Sequence, residues 1–583
     1  MMNGFTGIIN FRSAESSLFF TAAENQAEAD GLRVFFSGVL RNRLELSREF
    51  ELPPEISDAA VLLELFRHRG QQAFCKLNGA FVFAVWQKKE KTLLLGRDQL
   101  GQKFLFHGRD AQGRLVFSDS LREVVKQPGV SREYDLLALA DYFAVGYCPA
   151  PATIYREVRK VAPATILTFT ADGNCSSTKY WQAQFLPKSK ISFQEAVSES
   201  RRLLEQAIGR CLHDHDSANF LLSGGIDSGV VLGLAAAHLK QPGQAISIAF
   251  DEALYDESAL AAQSAARHGV RQIVRRVEAA EIRNMAQLLA AAGEPFADSS
   301  LLPTFLALQE AGKSANAVFS GDGGDEFFCG YRRLQFIAWR NCLGGITGGI
   351  GQGLAKILRP FLPAASEQRS KLANLSRLLE ALALPLAESY MSFQQIFSPE
   401  LRNELLRQAA APGYHADWWK IFAEAQCLDP VEKCAALDIS SYLPEDCLRK
   451  SAIANLGLGL DLLCPLLDLD MVEFALCLPR SYKLNLRERK RPLRAIGQEV
   501  LPEELLRQGK RGFGTPAASW FRQSLAGEIQ QLAASLPDWD QQGWLDAACV
   551  HRLVREHLEA KADHAARLWS VFCLKTWLQE QNN

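Results

Sequence analysis

No pair of cysteines in this sequence stands at the Cys-x-x-Cys spacing of a zinc or redox site. The 13 cysteines are odd in number and scattered from Cys75 to Cys573, a pattern unlike a secreted disulfide framework, and they read as reduced, mostly buried thiols. No uninterrupted apolar run reaches the ~18 residues of a transmembrane helix, so no membrane partner is expected. An excess of one charge is missing too: Lys plus Arg number 64 against 66 Asp plus Glu, which argues against a nucleic-acid partner. The opening Met1-Met2-Asn3-Gly4-Phe5-Thr6-Gly7-Ile8 has neither a basic region followed by an apolar one nor the pattern of a transit peptide, and a cytoplasmic location is expected. Sequence repeats are absent.

What is present is an ordinary globular composition, 48% hydrophobic and 22% charged, in a 583-residue chain long enough for two to four domains. Strand-like segments mark the first part: Arg33–Phe36, Ala80–Trp86, Thr92–Leu95 and Thr165–Thr170. Helical patterns at Asp58–Arg67 and Leu136–Phe143 lie between them, so a layered sheet with flanking helices is the natural packing. After Tyr180-Trp181 the pattern changes, and the polar stretch Leu186–Lys190 sets the boundary between a first domain, 1–185, and a second, 186–583. Strand Asn219–Leu222, helix Val230–Leu239, strand Ala245–Phe250 and helix Glu257–His268 then alternate as in a parallel sheet of nucleotide-domain connectivity. Beyond about residue 345 the reading is almost wholly helical. Gly344–Gly353 holds six glycines without a preceding strand and reads as a loop or hinge.

The strand ending at Leu222 runs straight into Ser223-Gly224-Gly225-Ile226-Asp227-Ser228-Gly229 and a helix. Backbone N–H groups and a helix N-terminus converge there, which is a phosphate-binding geometry; a plain tight turn is the alternative. The serines can donate hydrogen bonds, and Asp227 can place a carboxylate on a magnesium ion bridging phosphates. This is not a Walker A loop. It resembles the Ser-Gly-Gly-x-Asp-Ser pyrophosphate loop of enzymes that split ATP into AMP and pyrophosphate. A second cluster, Phe319-Ser320-Gly321-Asp322-Gly323-Gly324-Asp325-Glu326, concentrates three carboxylates within five residues, a repulsion that a cation or a solvated turn would relieve. His213-Asp214-His215-Asp216 looks metal-like but reads as an exposed loop.

Together with Lys490-Arg491-Pro492-Leu493-Arg494, Lys510-Arg511-Gly512-Phe513 and, in the first half, Leu77–Phe81, Arg97–Gly101 and Phe117–Ser120, these segments resemble the asparagine synthetases along nearly the whole chain. The resemblance implies an α/β multidomain protein: an N-terminal Ntn-hydrolase-like layered αββα domain and a C-terminal PP-loop ATP pyrophosphatase domain. It implies ATP and Mg2+ as cofactors, with Asp227 and Asp325 on the metal. Ser223, Gly224, Gly225, Ser228 and Lys510 would hold the phosphates, and Ser320 and Gly321 the adenine, beside Leu222 and Ile248. Lys490 would neutralise charge developing in adenylation, and Asp322 would face the amine or the substrate.

Departures from the family shape a further expectation. Met2 stands where glutamine-hydrolysing members expose a cysteine, Thr6-Gly7-Ile8 replaces Cys-Gly-Ile, and Ser37-Gly38-Val39 replaces Asn-Gly-Glu. After Leu448-Arg449-Lys450 the family's charged segment becomes Ala452–Leu456, and Leu463 replaces an arginine, although Asp461 keeps an acidic position. The expectation is therefore an AMP-forming amide ligase with an idle glutaminase half. It would join a carboxylate and an amine of one substrate, as β-lactam synthetases and lasso-peptide cyclases do, with a precursor peptide, companion biosynthetic proteins or a homodimer as partners. The alternatives are an ammonia-dependent asparagine synthetase, or amidation of another carboxylate, and a non-catalytic nucleotide-binding scaffold.

Overall fold

Alternation along single strands decides how the first half is layered. The computed structural model describes residues 4–11, 18–21, 25–342, 357, 382, 384–407, 418–425, 428–507 and 514–582. Its first strands are β1 (Thr6–Ile9), β2 (Leu18–Thr21), β3 (Gln26–Ala29), β4 (Leu32–Leu40), β5 (Gly79–Gln87) and β6 (Thr92–Arg97). They are followed by β7 (Phe106–Arg109), β8 (Leu115–Ser118), β9 (Val158–Lys160), β10 (Thr165–Phe169) and β11 (Cys175–Lys179). They form two antiparallel sheets, ordered β2-β1-β8-β7-β9 and β11-β10-β6-β5-β4-β3. On β4 and β5 the pair Phe35 and Ala84 faces one core, and the neighbouring pairs Val34–Val85 and Phe36–Phe83 face another. The first core also takes Ile9, Leu115 and Phe117 from the other sheet, so it lies between the two sheets. The second is covered by helix Asp58–Arg69, which starts at the Ser57 cap. Helix Leu136–Val145, capped by Asp135 and ended by left-handed Gly146, contributes to the core on the outer face of the other sheet. The layering is thus helix, sheet, sheet, helix, forced by a side-chain period of two.

The second half carries β12 (Asn219–Leu221), β13 (Gln244–Ala249), β14 (Arg271–Arg276), β15 (Ala317–Phe319) and β16 (Asp461–Leu463), a wholly parallel sheet ordered β14-β13-β12-β15-β16. Helices dominate the rest. β16 corrects the expectation of an almost wholly helical stretch beyond residue 345: only three residues long, it has no room to show a period. The glycine-rich 344–353 lies outside the described residues.

The halves meet through buried charge. Arg97 reaches Glu445 at 3.2 Å and donates to the carbonyls of Lys103, Val161 and Gly101. Its position follows from the next residue, since the Asp98 carboxylate gathers the amides of Leu100, Gln102 and Lys103 into a tight loop. Lys160 lies 2.8 Å from Glu294 and 3.3 Å from Glu445, and Arg449 lies 3.4 Å from Glu294. Burial pushes the Glu445 carboxyl up, but Lys160, Arg97 and Arg449 outweigh it and hold it below the usual value. A second contact joins Arg41 to Asp461 through two bonds of 2.8 and 2.5 Å, with His215 2.7 Å from the same carboxylate. Asn78 and Arg210 converge on Asp468. Helix Ala565–Asn582 also spans the halves: Tyr142 donates to the Ser570 carbonyl at 2.6 Å, and Trp577 packs on Tyr134 and Tyr155. Among the described residues no helix is long and apolar enough to cross a membrane.

Glu445→Gln should lower the stability measured by denaturant unfolding at pH 7 by about 3–5 kcal/mol, because it strands buried cations. The native carboxyl lies below its unfolded value, so its contribution is present above about pH 4.3 and fades as pH falls through the native value. The gap between variant and wild type should therefore narrow in acid. Glu133→Gln, which removes the exposed partner of Arg156, should leave the midpoint unchanged. Equal midpoints for wild type and Glu445→Gln at pH 7 would refute the role of the network.

Candidate active site

Two loops meet because the strands that deliver them are neighbours. β12 has β13 on one side and β15 on the other, so the chain reverses its winding at this point and opens a crevice at the carboxyl ends of the strands. Phe220 and Phe319 are in register across the parallel pair. Directly after β12 comes Ser223–Gly225 and the helix Ile226–Ala235; directly after β15 comes Ser320–Gly323 and the short helix Gly324–Phe327. No side chain caps the N-terminus at Gly225. The Ser223 hydroxyl accepts from the Gly225 amide at 3.2 Å and lies 3.0 Å from the Ser228 hydroxyl, folding the loop back on the helix end.

Close approach of the loops explains two glycines. A Cβ on Gly321 would lie 2.7 Å from the Ser228 amide nitrogen, and one on Gly324 would lie 2.5 Å from Cγ of Asp227. Asp227 and Asp325 then share one cation, Lys490: its ammonium contacts Asp227 and lies 2.7 Å from Asp325 Oδ1. Lys490 arrives with left-handed backbone, φ 54°, as the residue that opens helix Arg491–Val500, and its amide donates to the Phe328 carbonyl at 3.2 Å. Its side chain is only 5% exposed. Gly330 is the floor beneath it, since a Cβ there would fall 1.9 Å from Lys490 Cε. Asp227 Oδ1 is buried without a hydrogen-bond partner among the described residues, which leaves one acceptor for a further cation.

The other expected residues divide. Asp322 accepts from the Ser451 hydroxyl at 3.1 Å, and Ser320 is held to β16 by its amide on the Leu463 carbonyl. Leu222 and Ile248 are buried along the same sheet, Leu222 bonded through its amide to Ile246. Gly224 packs instead toward Glu257 and Leu260. Lys510 lies outside the described residues. His213, His215 and their acidic neighbours are engaged in ion pairs, Asp214 with Arg43 and His215 with Asp461.

Several residues near the site escaped the sequence reading. Although burial pulls the Lys450 ammonium down, Asp298 at 3.7 Å, Asp322 and Asp446 hold it above the usual lysine value. Glu326 bonds to the Tyr331 hydroxyl, and burial raises its carboxyl. Arg333 stacks over Tyr331 at 3.8 Å and pairs with Asp438 at 3.1 Å. The signal available was basic residues just beyond the acidic motif, Arg332-Arg333, and Lys450 inside a segment already matched to the family. Spacing alone cannot show that Lys450 faces three acids.

Comparison with known proteins follows this geometry. Residues 199–579 match the asparagine synthase family and residues 26–181 the glutamine amidotransferase domain. A protein of Mycobacterium tuberculosis (strain ATCC 25618 / H37Rv), provisionally named as a glutamine-hydrolyzing asparagine synthetase, is 29% identical over 93% of this chain and 83% of its own. Glutamine-hydrolyzing asparagine synthetase 1 of Bacillus subtilis (strain 168) is 25% identical over 93% of this chain and 85% of its own. Amidase chry2 of Gibberella zeae is 23% identical over 87% and 80%.

These matches overturn the expectation of a glutamine-independent, ring-forming ligase with an idle glutaminase half, a precursor peptide and companion proteins. That expectation weighed a few positions, while the amidotransferase match extends over most of the first half. Met2 lies outside the described residues, and Thr6 stands in β1 with its hydroxyl 2.9 Å from that of Ser118. In the second half Asp461 is bound by Arg41 and His215, and Ser451 donates to Asp322. The molecule is a bipartite α/β protein with an amidotransferase-like half and a PP-loop synthetase half, and the chain belongs to the asparagine synthase family.

Proposed function

We propose that the chain is an ATP-dependent amide ligase that activates a substrate carboxylate as its adenylate and transfers to it nitrogen released from glutamine. The observation that carries this reading is the meeting of Asp227, Asp325 and Lys490 at a helix N-terminus in the crevice of the parallel sheet. The names of the relatives support glutamine as the donor. In our division residues 1–185 release the nitrogen and 186–583 use it, in the cytoplasm.

In the proposed reaction a carboxylate oxygen attacks the α-phosphorus of ATP and pyrophosphate leaves. Water cleaves the side-chain amide of glutamine to glutamate and ammonia; the ammonia attacks the acyl carbon, AMP departs, and the nitrogen gives up a proton to leave the amide. The loop amides of 223–228 and the Ser223 and Ser228 hydroxyls would hold the departing pyrophosphate. The Lys490 ammonium would neutralise charge on the phosphates and on the carbonyl oxygen, preorganised by its burial. Asp322, steadied by Ser451, is placed to accept a proton from the attacking nitrogen. Magnesium, when bound, would screen the phosphate charges; the two carboxylates, one with a spare buried oxygen, fit that role.

The test is AMP and pyrophosphate release from Mg·ATP and aspartate, with glutamine or with ammonium as nitrogen source. Glutamine should support turnover with one glutamate formed per AMP. Turnover with ammonium and none with glutamine would remove the glutaminase part of the reading, and none with either donor would exclude aspartate as the carboxylate. Asp227→Asn should lower kcat for pyrophosphate release by about 100-fold or more, as loss of a group that organises transition-state charge does. Gly330→Ala should cost about 1–3 kcal/mol of stability in thermal unfolding, because the added methyl displaces Lys490 and Asp325. Gly209→Ala, with nothing within 4 Å, should gain about 0.5–1 kcal/mol in its helix.

A further inference from the structure

Gly330 separates two sets of charges. Lys490 lies against its α-carbon together with Asp325, whereas Arg489 donates to its carbonyl at 2.7 Å. Three segments bring arginines together here. Arg332 opens the helix 332–342, Arg489 closes a loop by bridging to Leu484, and Arg494 stands in helix Arg491–Val500. Arg494 Nε donates to the Arg489 carbonyl at 3.1 Å and its Nη1 to the Leu506 carbonyl at 2.6 Å. Gln335 and Trp339, on the helix that Arg332 opens, both donate to the Leu486 carbonyl of the loop, at 3.3 and 2.8 Å. Packing of these segments, and not chance placement of long side chains, therefore sets the cluster.

Among the described residues Arg489 and Arg494 form no ion pair with a carboxylate. The acids nearby in sequence are engaged elsewhere: Glu488 with Arg491 at 3.8 Å, Asp325 with Lys490, and Glu326 with the Tyr331 hydroxyl. Burial, and then the charges of Arg332 and Arg494, pull the half-buried Arg489 guanidinium down to about 10. Like charges gathered at a cost to stability fit a place that receives an anion. The guanidinium fork matches phosphate oxygens two at a time, and three such groups call for an anion of more than one charge. Trp339 follows Arg332 by two helical turns, ~10 Å further along the same face, and is 42% exposed.

We propose that Arg332, Arg489 and Arg494 form a second phosphate site, outside the crevice, for an oligophosphate group, either free pyrophosphate or the diphosphate of a nucleotide. Pyrophosphate is at hand as a product of the proposed reaction, and a nucleotide would lay its base on the exposed ring of Trp339. Occupancy reaches the reacting centre through Gly330, whose carbonyl Arg489 holds and whose amide donates to the Asp325 carbonyl at 2.7 Å. The site itself does not depend on the ligase reading.

The experiment is titration calorimetry of pyrophosphate and of ADP into the full chain, its crevice first filled with Mg2+ and α,β-methylene-ATP. A further site should appear, with Kd raised about tenfold in Arg489→Gln and in Arg332→Gln. Binding of pyrophosphate alone assigns the free anion, and binding of ADP that Trp339→Ala weakens assigns the nucleotide; either sustains the site. No further binding of either probe, or equal Kd in wild type and both variants, overturns it. A raised KM for ATP in Arg332→Gln overturns it as well, since these arginines would then serve the phosphates of ATP. Failure of the analogue to bind counts against the ligase reading, and the same titration run without it still decides the second site. Should Arg489→Gln fail to fold, the variant at exposed Arg332 decides the matter.

Discussion

Five buried charges hold the two halves in one relative position. Arg97 and Lys160 come from the first half, Glu294, Glu445 and Arg449 from the second, and none is more than 6% exposed. Such a group adds little net stability over well-packed apolar residues, because desolvation offsets most of the attraction. What it adds is selectivity of docking: any other alignment would bury these charges without partners, at a cost of several kcal/mol each. The same segment lines a cavity beside the reacting centre, together with Tyr147, Asp298 and Arg333. Glu445 and Asp446 are consecutive in the wide helical turn Asp438–Cys447, one turned to the first half and the other to the cavity. Docking of the halves and the shape of the space beside the reacting centre are thus one constraint.

The reacting centre depends on topology in a similar way. β12 and β15 are far apart in sequence and adjacent in space, so a serine-rich loop and an acidic loop end side by side. Two glycines allow the contact, and a lysine from a third segment neutralises it. Lys490 carries left-handed backbone, which an L-residue adopts at a cost of about 1–2 kcal/mol. The buried ion pairs and the helix that starts at this residue hold it there.

Much of this was legible in the sequence where a motif was local. The Ser223–Ser228 loop reads directly, because a strand, two glycines and a helix are contiguous. The layering of the first half reads from strand-like segments such as 33–36 and 80–86 with helical patterns at 58–67 and 136–143 between them. Three-residue β16 does not, since no period can be seen in so short a segment, and its place is set by pairing with β15. The cavity was illegible for a different reason: Tyr147, Asp298 and Asp446 come from three segments, and only tertiary packing brings them together. The glutaminase half shows the opposite hazard. A few altered positions, Met2 and Ser37–Val39, outweighed in that reading a pattern that matches as a whole.

The order of synthesis adds a last consequence. Tyr134, Tyr142 and Tyr155 of the first half are covered by helix Ala565–Asn582, which leaves the ribosome after every other described helix. The two-sheet sandwich can close early, yet its aromatic flank stays bare while the synthetase half is translated. The nascent chain therefore carries an exposed sticky face for most of its production, and fastening of the first half to the second is completed only when that helix arrives.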